Sequence, residues 1–233
     1  MIFEKMICEK MIFARTICAK TIFANRFSVG LLLLASLIFS PLLNLQAADT
    51  PSASMTPEER AHAIKLLRDS EAEYLAAIEN VSDEQWKWKP APDRWSVGET
   101  AEHILLAETA LFSAVQRAIQ SPPNPDWQTK TAGKTEFIEK VMPDRSHKAT
   151  APEQLHPQGL TKAEVIRRFK EVRAQTIQFA ETTQIPLKEH TYEHPFPVFN
   201  TLNAYQWLIY IPLHNIRHDQ QIAEVKASPG YPK

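Results

Sequence analysis

The sequence predicts an all-α protein, a four-helix bundle, from three observations. Four long segments carry apolar side chains every three or four residues, which is the period of an amphipathic helix. Capping motifs stand at the starts of three of these segments. Glycine is scarce, with 5 residues among 233, which disfavours both an all-β fold dense in tight turns and a glycine-rich phosphate loop.

The first two long helices are predicted from their capping boxes. Thr56-Pro-Glu-Glu59 has proline at the first helical position and opens a helix that extends to about Asn80. Ser96-Val-Gly-Glu99 opens a second helix that extends to about Gln120, with His103 on its apolar stripe. The link between these two helices is short, so they are expected to be neighbours in the bundle.

A long connection, residues 121–160, separates the second long helix from the third. It contains several prolines and one short helix near residues 136–142. Connections of this length usually cross over a bundle or cover a site. Thr161-Lys-Ala-Glu164 then opens the third long helix, which extends to about Thr183.

The fourth helix is predicted to begin at Thr201 and to end near Val225, after an extended stretch over residues 189–200. Pro212 lies inside it and is expected to bend it, since proline removes one backbone hydrogen bond. The bundle therefore occupies residues 57–226, with its long crossover between the second and third long helices. Residues 49–56 are predicted to be a linker and residues 227–233 a tail.

The N-terminal segment, residues 1–48, is predicted to be a signal peptide with an extended basic n-region. Five basic and two acidic residues precede an apolar run over residues 29–39, and Ala47-Ala48 provides a small-residue end. We therefore expect a secreted or periplasmic protein. An uncleaved anchor is the alternative, although the run is shorter than the roughly 20 residues that span a membrane. The five-residue repeats before the run also fit a start codon further along, at Met6 or Met11.

Charge and cysteine content exclude several functions for the mature chain. Its formal net charge becomes −4 once five basic and two acidic residues are removed from the whole-chain balance of 26 and 27. No basic patch is evident, so we expect no nucleic-acid partner. We also expect no membrane association after the signal is cleaved. Both cysteines, Cys8 and Cys18, lie in the signal segment, so the mature chain has no thiol nucleophile.

Histidine spacing in the fourth helix indicates a metal site. His214 and His218 are one turn apart on an apolar stripe, so both imidazoles can reach one ion. The alternative is a pair of polar residues at the edge of the core. A third ligand is needed, and His103 of the second helix is the natural candidate. The other histidines are interpreted as solvated or structural, with His194 also a candidate for lining a pocket: His62, His147, His156, His190 and His194.

Two motifs together resemble the DinB-like superfamily of damage-inducible, metal-binding helical bundles. They are Trp95-Ser96-x-x-Glu99-x-x-x-His103 and, far downstream, His214-x-x-x-His218-x-x-Gln221. The resemblance implies a divalent ion, zinc or nickel, held by His103, His214 and His218. It also implies a thiol S-transferase or a thiol-dependent isomerase acting on a small molecule, and relatives of this kind are often homodimers. A metal-bound water at the same site would make the protein a metal-dependent hydrolase instead.

A site of three neutral imidazoles leaves a coordination position open, as catalytic zinc sites do. The nucleophile would be a metal-bound water or a metal-bound thiolate. Glu99, Gln221 and Asp219 are candidates for the outward hydrogen bonds that orient the ligands, with capping or solvation as the alternative for each. Two further hypotheses remain open: a non-catalytic metal- or ligand-binding bundle, and a scaffold that has lost its metal.

Overall fold

The computed structural model describes residues 52–146 and 150–233, which form seven α-helices, one 3-10 turn and a two-stranded antiparallel sheet. The predicted signal peptide, the first residues of the linker and His147 lie outside the described residues. The helices are α1 (Pro57–Glu79), α2 (Asp83–Lys87), α3 (Val97–Gln120), α4 (Trp127–Thr131), α5 (Lys134–Val141), α6 (Lys162–Thr182) and α7 (Ala204–Lys226). The 3-10 turn is Glu153–Leu155, and the strands are β1 (Thr191–Glu193) and β2 (Thr201–Asn203).

The four long helices α1, α3, α6 and α7 form the predicted bundle. The hydroxyls of Thr56, Ser96 and Thr161 each accept a hydrogen bond from the backbone N–H three residues on. In each case the glutamate at that position accepts a hydrogen bond from the backbone N–H of the capping residue. Helix α7 packs against α1 and α3, and α6 packs against the same two helices. No helix of the described residues is both long enough and apolar enough to span a membrane.

The crossover between α3 and α6 has more structure than the sequence predicted. The expected short helix is α5, and α4 and the 3-10 turn are additional. Helix α4 has only five residues, and Asp126 at its N-cap makes no capping hydrogen bond.

The fourth long helix begins at Ala204, three residues later than predicted. Residues 201–203 form β2 instead and pair antiparallel with β1, with Tyr192 opposite Leu202. Asn203 is the true cap, since its side chain accepts from the N–H of Gln206. From there α7 continues through Pro212 to Lys226.

A buried ion pair lies in the bundle core. Both guanidinium nitrogens of Arg173 that face Glu108 donate to its carboxylate, at 2.8 and 2.7 Å, and both side chains are almost wholly buried. Arg173 also donates to the Leu67 carbonyl and to the Asn215 side chain. One side chain of α6 is thereby tied to α1, α3 and α7.

Candidate metal centre

Three imidazoles converge between α3 and α7. The capping box at Ser96 fixes the start of α3 and places His103 two turns inside it, where it is 2% exposed. The ring centroid of His103 lies 5.2 Å from that of His214 and 4.6 Å from that of His218. The rings of His214 and His218 are 4.5 Å apart. The helix pairing thus brings together the three residues selected from the sequence.

The cluster fits a divalent ion. One ring nitrogen from each histidine can be chosen so that all three lie within 4.8 Å of one another. Nitrogens that bind one tetrahedral ion at 2.0–2.1 Å are about 3.4 Å apart. Each pair of ring nitrogens would therefore have to move closer by about 1.4 Å at most, a change that side-chain rotations can supply.

Burial keeps the three imidazoles neutral. It is the main reason that the pKa of His218 falls to about 3, and the nearby His103 contributes to that lowering. Burial likewise lowers the pKa of His214 well below its ordinary value, with His218 and His103 adding to the effect. The pKa of His103 is also lowered, chiefly by burial. Neutral imidazole is the form that binds a metal, so the cluster is ready for an ion without losing protons.

Two of the three rings are oriented from outside the cluster. The Nδ1 of His103 donates to the Leu155 carbonyl at 2.9 Å, and the Nδ1 of His218 donates to Gln221 Oε1 at 2.9 Å. Since both partners are oxygen acceptors, Nδ1 carries the proton and Nε2 has the free lone pair. This is the usual arrangement of metal-binding histidines.

Of the three predicted outward partners, Gln221 alone bonds a histidine of the cluster within the described residues. Glu99 does not, because its carboxylate accepts from the Ser96 backbone N–H at 2.8 Å and from Lys89 at 3.0 Å. It caps α3, which was the alternative interpretation.

Asp219 also faces away from the cluster, because it follows His218 by one position and so lies about 100° round the helix. One carboxylate oxygen accepts from Asn215 at 3.0 Å, and the other has no hydrogen-bond partner among the described residues. Burial, with a smaller contribution from the nearby Glu73, raises the pKa of Asp219 to about 8.

Two aromatic side chains lie beside the cluster. The ring of Trp95 lies 4.9 Å from that of His103, and the ring of Tyr210 is stacked 6.4 Å from that of His214. His156 is exposed and lies 6.1 Å from Trp95, which places it beside the site rather than in it. Trp95 therefore forms one wall of the site.

The remaining described histidines have separate partners. His62 is paired with Glu139 at the surface, and His190 contacts the Ser121 carbonyl. His194 is buried and stacks on Trp207 with ring centroids 4.8 Å apart. It belongs to an aromatic cluster and not to the three-histidine group.

Sequence reasoning missed two charged residues near the site. Arg145 donates to Gln221 Oε1 at 3.2 Å and forms two bonds of 2.8 Å with Glu224. Glu102, directly before His103, binds the crossover through three backbone N–H groups. Both contacts depend on the path of the crossover, so no local pattern indicates them.

The architecture defines a helical bundle that carries a candidate metal site between two of its helices. Residues 66–222 match the DinB superfamily, and the chain belongs to that superfamily. YuaE of Bacillus subtilis strain 168, an uncharacterized protein, is 25% identical over 167 residues, which cover 70% of this chain and 96% of YuaE.

A solved structure shares the fold. YfiT from Bacillus subtilis aligns with a TM-score of 0.51 and 12% identity, over 76% of this chain and 91% of YfiT. It is described as a probable metal-dependent hydrolase with an unusual four-helix bundle topology. At this identity the likeness establishes the fold alone.

Proposed function

We propose that the protein is a metal-dependent hydrolase whose divalent ion, zinc or nickel, is held by His103, His214 and His218. The convergence of three ligand atoms within 4.8 Å carries the proposal. Neutral rings and two outward hydrogen bonds support it. The description of YfiT as a probable metal-dependent hydrolase agrees with it, because the two chains share a fold.

When bound by three imidazoles, such an ion keeps a position open for water or a substrate oxygen and makes either one more reactive. The chain's own residues prepare that position. The Leu155 carbonyl and Gln221 orient two ligand rings, while Trp95 and Tyr210 place aromatic rings beside the site. Residues 52–233 contain no cysteine, so the chain offers no thiol nucleophile of its own there.

The experiment measures metal content and turnover on the same samples. Wild type, His214→Ala and His218→Ala are loaded with Zn²⁺ or Ni²⁺, desalted and analysed, then assayed on a panel of small esters and amides. His62→Ala is the matched control, since that ring lies at the surface beside Glu139. We expect one ion per chain and hydrolysis in wild type and the control, and loss of both in the two site variants. Equal metal content in all four proteins would reject the site.

The same panel separates hydrolysis from the alternatives. Turnover that requires an added low-molecular-weight thiol would identify an S-transferase in place of a hydrolase. Metal binding that raises thermal stability, with no turnover on any substrate, would indicate a non-catalytic binding bundle.

We also propose that the protein is exported, because residues 1–48 combine a basic start with an apolar run, as a signal peptide does. N-terminal sequencing of the protein recovered from the periplasm or medium should find a start close to residue 49. Recovery of the protein only from the cytoplasm, with residues 29–39 still attached, would overturn this proposal.

A further inference from the structure

Two consecutive residues of α3 hold the same short piece of the crossover, residues 155–160, here called the 155–160 loop. His103 contacts it at the Leu155 carbonyl, as described above. Glu102 contacts it at the other end, where its carboxylate accepts from three successive backbone N–H groups. The donors are Gln158, Gly159 and Leu160, at 2.7, 2.9 and 3.0 Å.

Glu102 is 2% exposed, so its charge must be satisfied inside the protein. Every hydrogen bond that it makes within the described residues goes to this backbone. Three converging backbone N–H groups form an anion-binding concavity. Such a concavity arises where successive residues alternate between right-handed and left-handed backbone conformations. Gly159 supplies that turn with a φ of +87°, a value that glycine adopts without strain.

The path from Leu155 to Gln158 is short and stiff. His156 is extended, with a ψ of 141°, and Pro157 has its φ fixed by the pyrrolidine ring. Anchoring the N–H groups of residues 158–160 therefore also fixes the Leu155 carbonyl, only three residues earlier. That carbonyl sets the tautomer and the ring orientation of His103.

We propose that Glu102 is a positioning residue for the metal centre, acting on His103 through the 155–160 loop. The inference rests on the proposed function, because it concerns how well the ligand set is formed. A carboxylate that only secured the loop would affect stability and leave the ion's surroundings unchanged. A positioning carboxylate changes both the affinity for the ion and the geometry of its ligands.

The test compares wild type with Glu102→Gln, which keeps the size of the side chain but places an amide N–H₂ against backbone donors. Glu59→Gln is the matched control, since Glu59 also accepts a hydrogen bond from a backbone N–H, that of Thr56, but belongs to the α1 cap. Metal-free proteins are titrated with Co²⁺ alone, with the visible ligand-field spectrum recorded, and then with Zn²⁺ in competition. Amide hydrogen exchange of residues 158–160 is measured in parallel.

We expect about 10-fold weaker Co²⁺ and Zn²⁺ binding in E102Q, at the lower end of the 10- to 100-fold range for outer-shell partners. The Co²⁺ bands should shift, and exchange at residues 158–160 should become faster. E59Q should match wild type in affinity and spectrum.

The outcomes separate the two proposals. Failure of wild type to bind either ion would overturn the proposed function. Tight binding by wild type, with the same affinity and spectrum in E102Q despite faster exchange of the loop, would overturn the role of Glu102 alone.

A second variant covers the case in which E102Q does not fold. Gly159→Ala adds a Cβ that meets no atom within 4 Å, so its effect comes from backbone strain at positive φ. It should weaken Co²⁺ binding in the same direction and shift the same bands. Unchanged affinity and spectrum in a folded G159A would also contradict the inference.

Discussion

Replacing His194 by phenylalanine should make the stability of the domain less sensitive to acid. His194 is 8% exposed and packs among Trp207, Phe199 and Tyr210. Its Nδ1 accepts a hydrogen bond from the Phe196 backbone N–H at 3.0 Å. Protonation of that nitrogen would remove the acceptor and bury a charge, so the folded state favours the neutral ring.

The direction of the effect follows from the two pKa values. Burial lowers the pKa of His194 from 6.5 to about 4 in the folded protein. Above pH 6.5 the ring is neutral in both folded and unfolded states. As the pH falls from 6.5 towards 4, only the unfolded state takes up a proton, so stability falls.

The magnitude follows from the same values. A pKa difference of this size corresponds to about 3 kcal/mol, and we expect about 2 kcal/mol because the ring keeps some contact with water. At pH 7.5, H194F should be less stable than wild type by about 1 kcal/mol, the cost of an unpaired Phe196 N–H. At pH 4.5 the order should reverse, with H194F more stable by about 1 kcal/mol.

Urea unfolding of the metal-free proteins at a series of pH values measures the difference. The comparison cancels every titrating group that the two proteins share. Phe199→Leu is the control, because it disturbs the same aromatic cluster without removing a titrating group. Its free-energy difference from wild type should be constant with pH. A constant difference for H194F as well would mean that His194 titrates alike in the folded and unfolded protein, contrary to this prediction.

Three other substitutions test the packing of the bundle by urea unfolding at pH 7.5. Glu108→Gln leaves Arg173 buried without a carboxylate and should cost about 3–5 kcal/mol; a loss below about 1 kcal/mol would contradict the buried pair. Gly98→Ala places a Cβ 2.4 Å from the Trp86 ring and should cost about 1–3 kcal/mol through overpacking, whereas a neutral result would mean that the ring moves freely. Thr161→Ala removes the hydroxyl that caps α6 and should cost about 1 kcal/mol, and an unchanged free energy of unfolding would show that the cap is dispensable.

The long helices could be predicted because their signals are local. A capping box lies within four residues, and the starts at Thr56, Ser96 and Thr161 were found for that reason. The predicted start of α7 at Thr201 is wrong. The asparagine–glutamine box at Asn203 marks the true start, whereas the pairing of residues 201–203 with a strand ten residues earlier is not a local property.

The candidate site could be predicted in part for a related reason. One helical turn separates His214 from His218, and the apolar stripe of α3 points His103 into the core, so both facts are visible in the sequence. Glu99 lies one turn from His103 and is therefore a candidate partner in the sequence, but its carboxylate instead accepts from the Ser96 backbone N–H and from Lys89. The actual partner is the Leu155 carbonyl, 52 residues along the chain. A main-chain oxygen leaves no signature in the side-chain sequence.

Anomalous diffraction from crystals of the Zn²⁺- or Ni²⁺-loaded protein tests the central claim most directly. We expect a single anomalous peak about 2.0–2.1 Å from one ring nitrogen of each of His103, His214 and His218. A peak elsewhere, or an ion bound by His214 and His218 without His103, would contradict it.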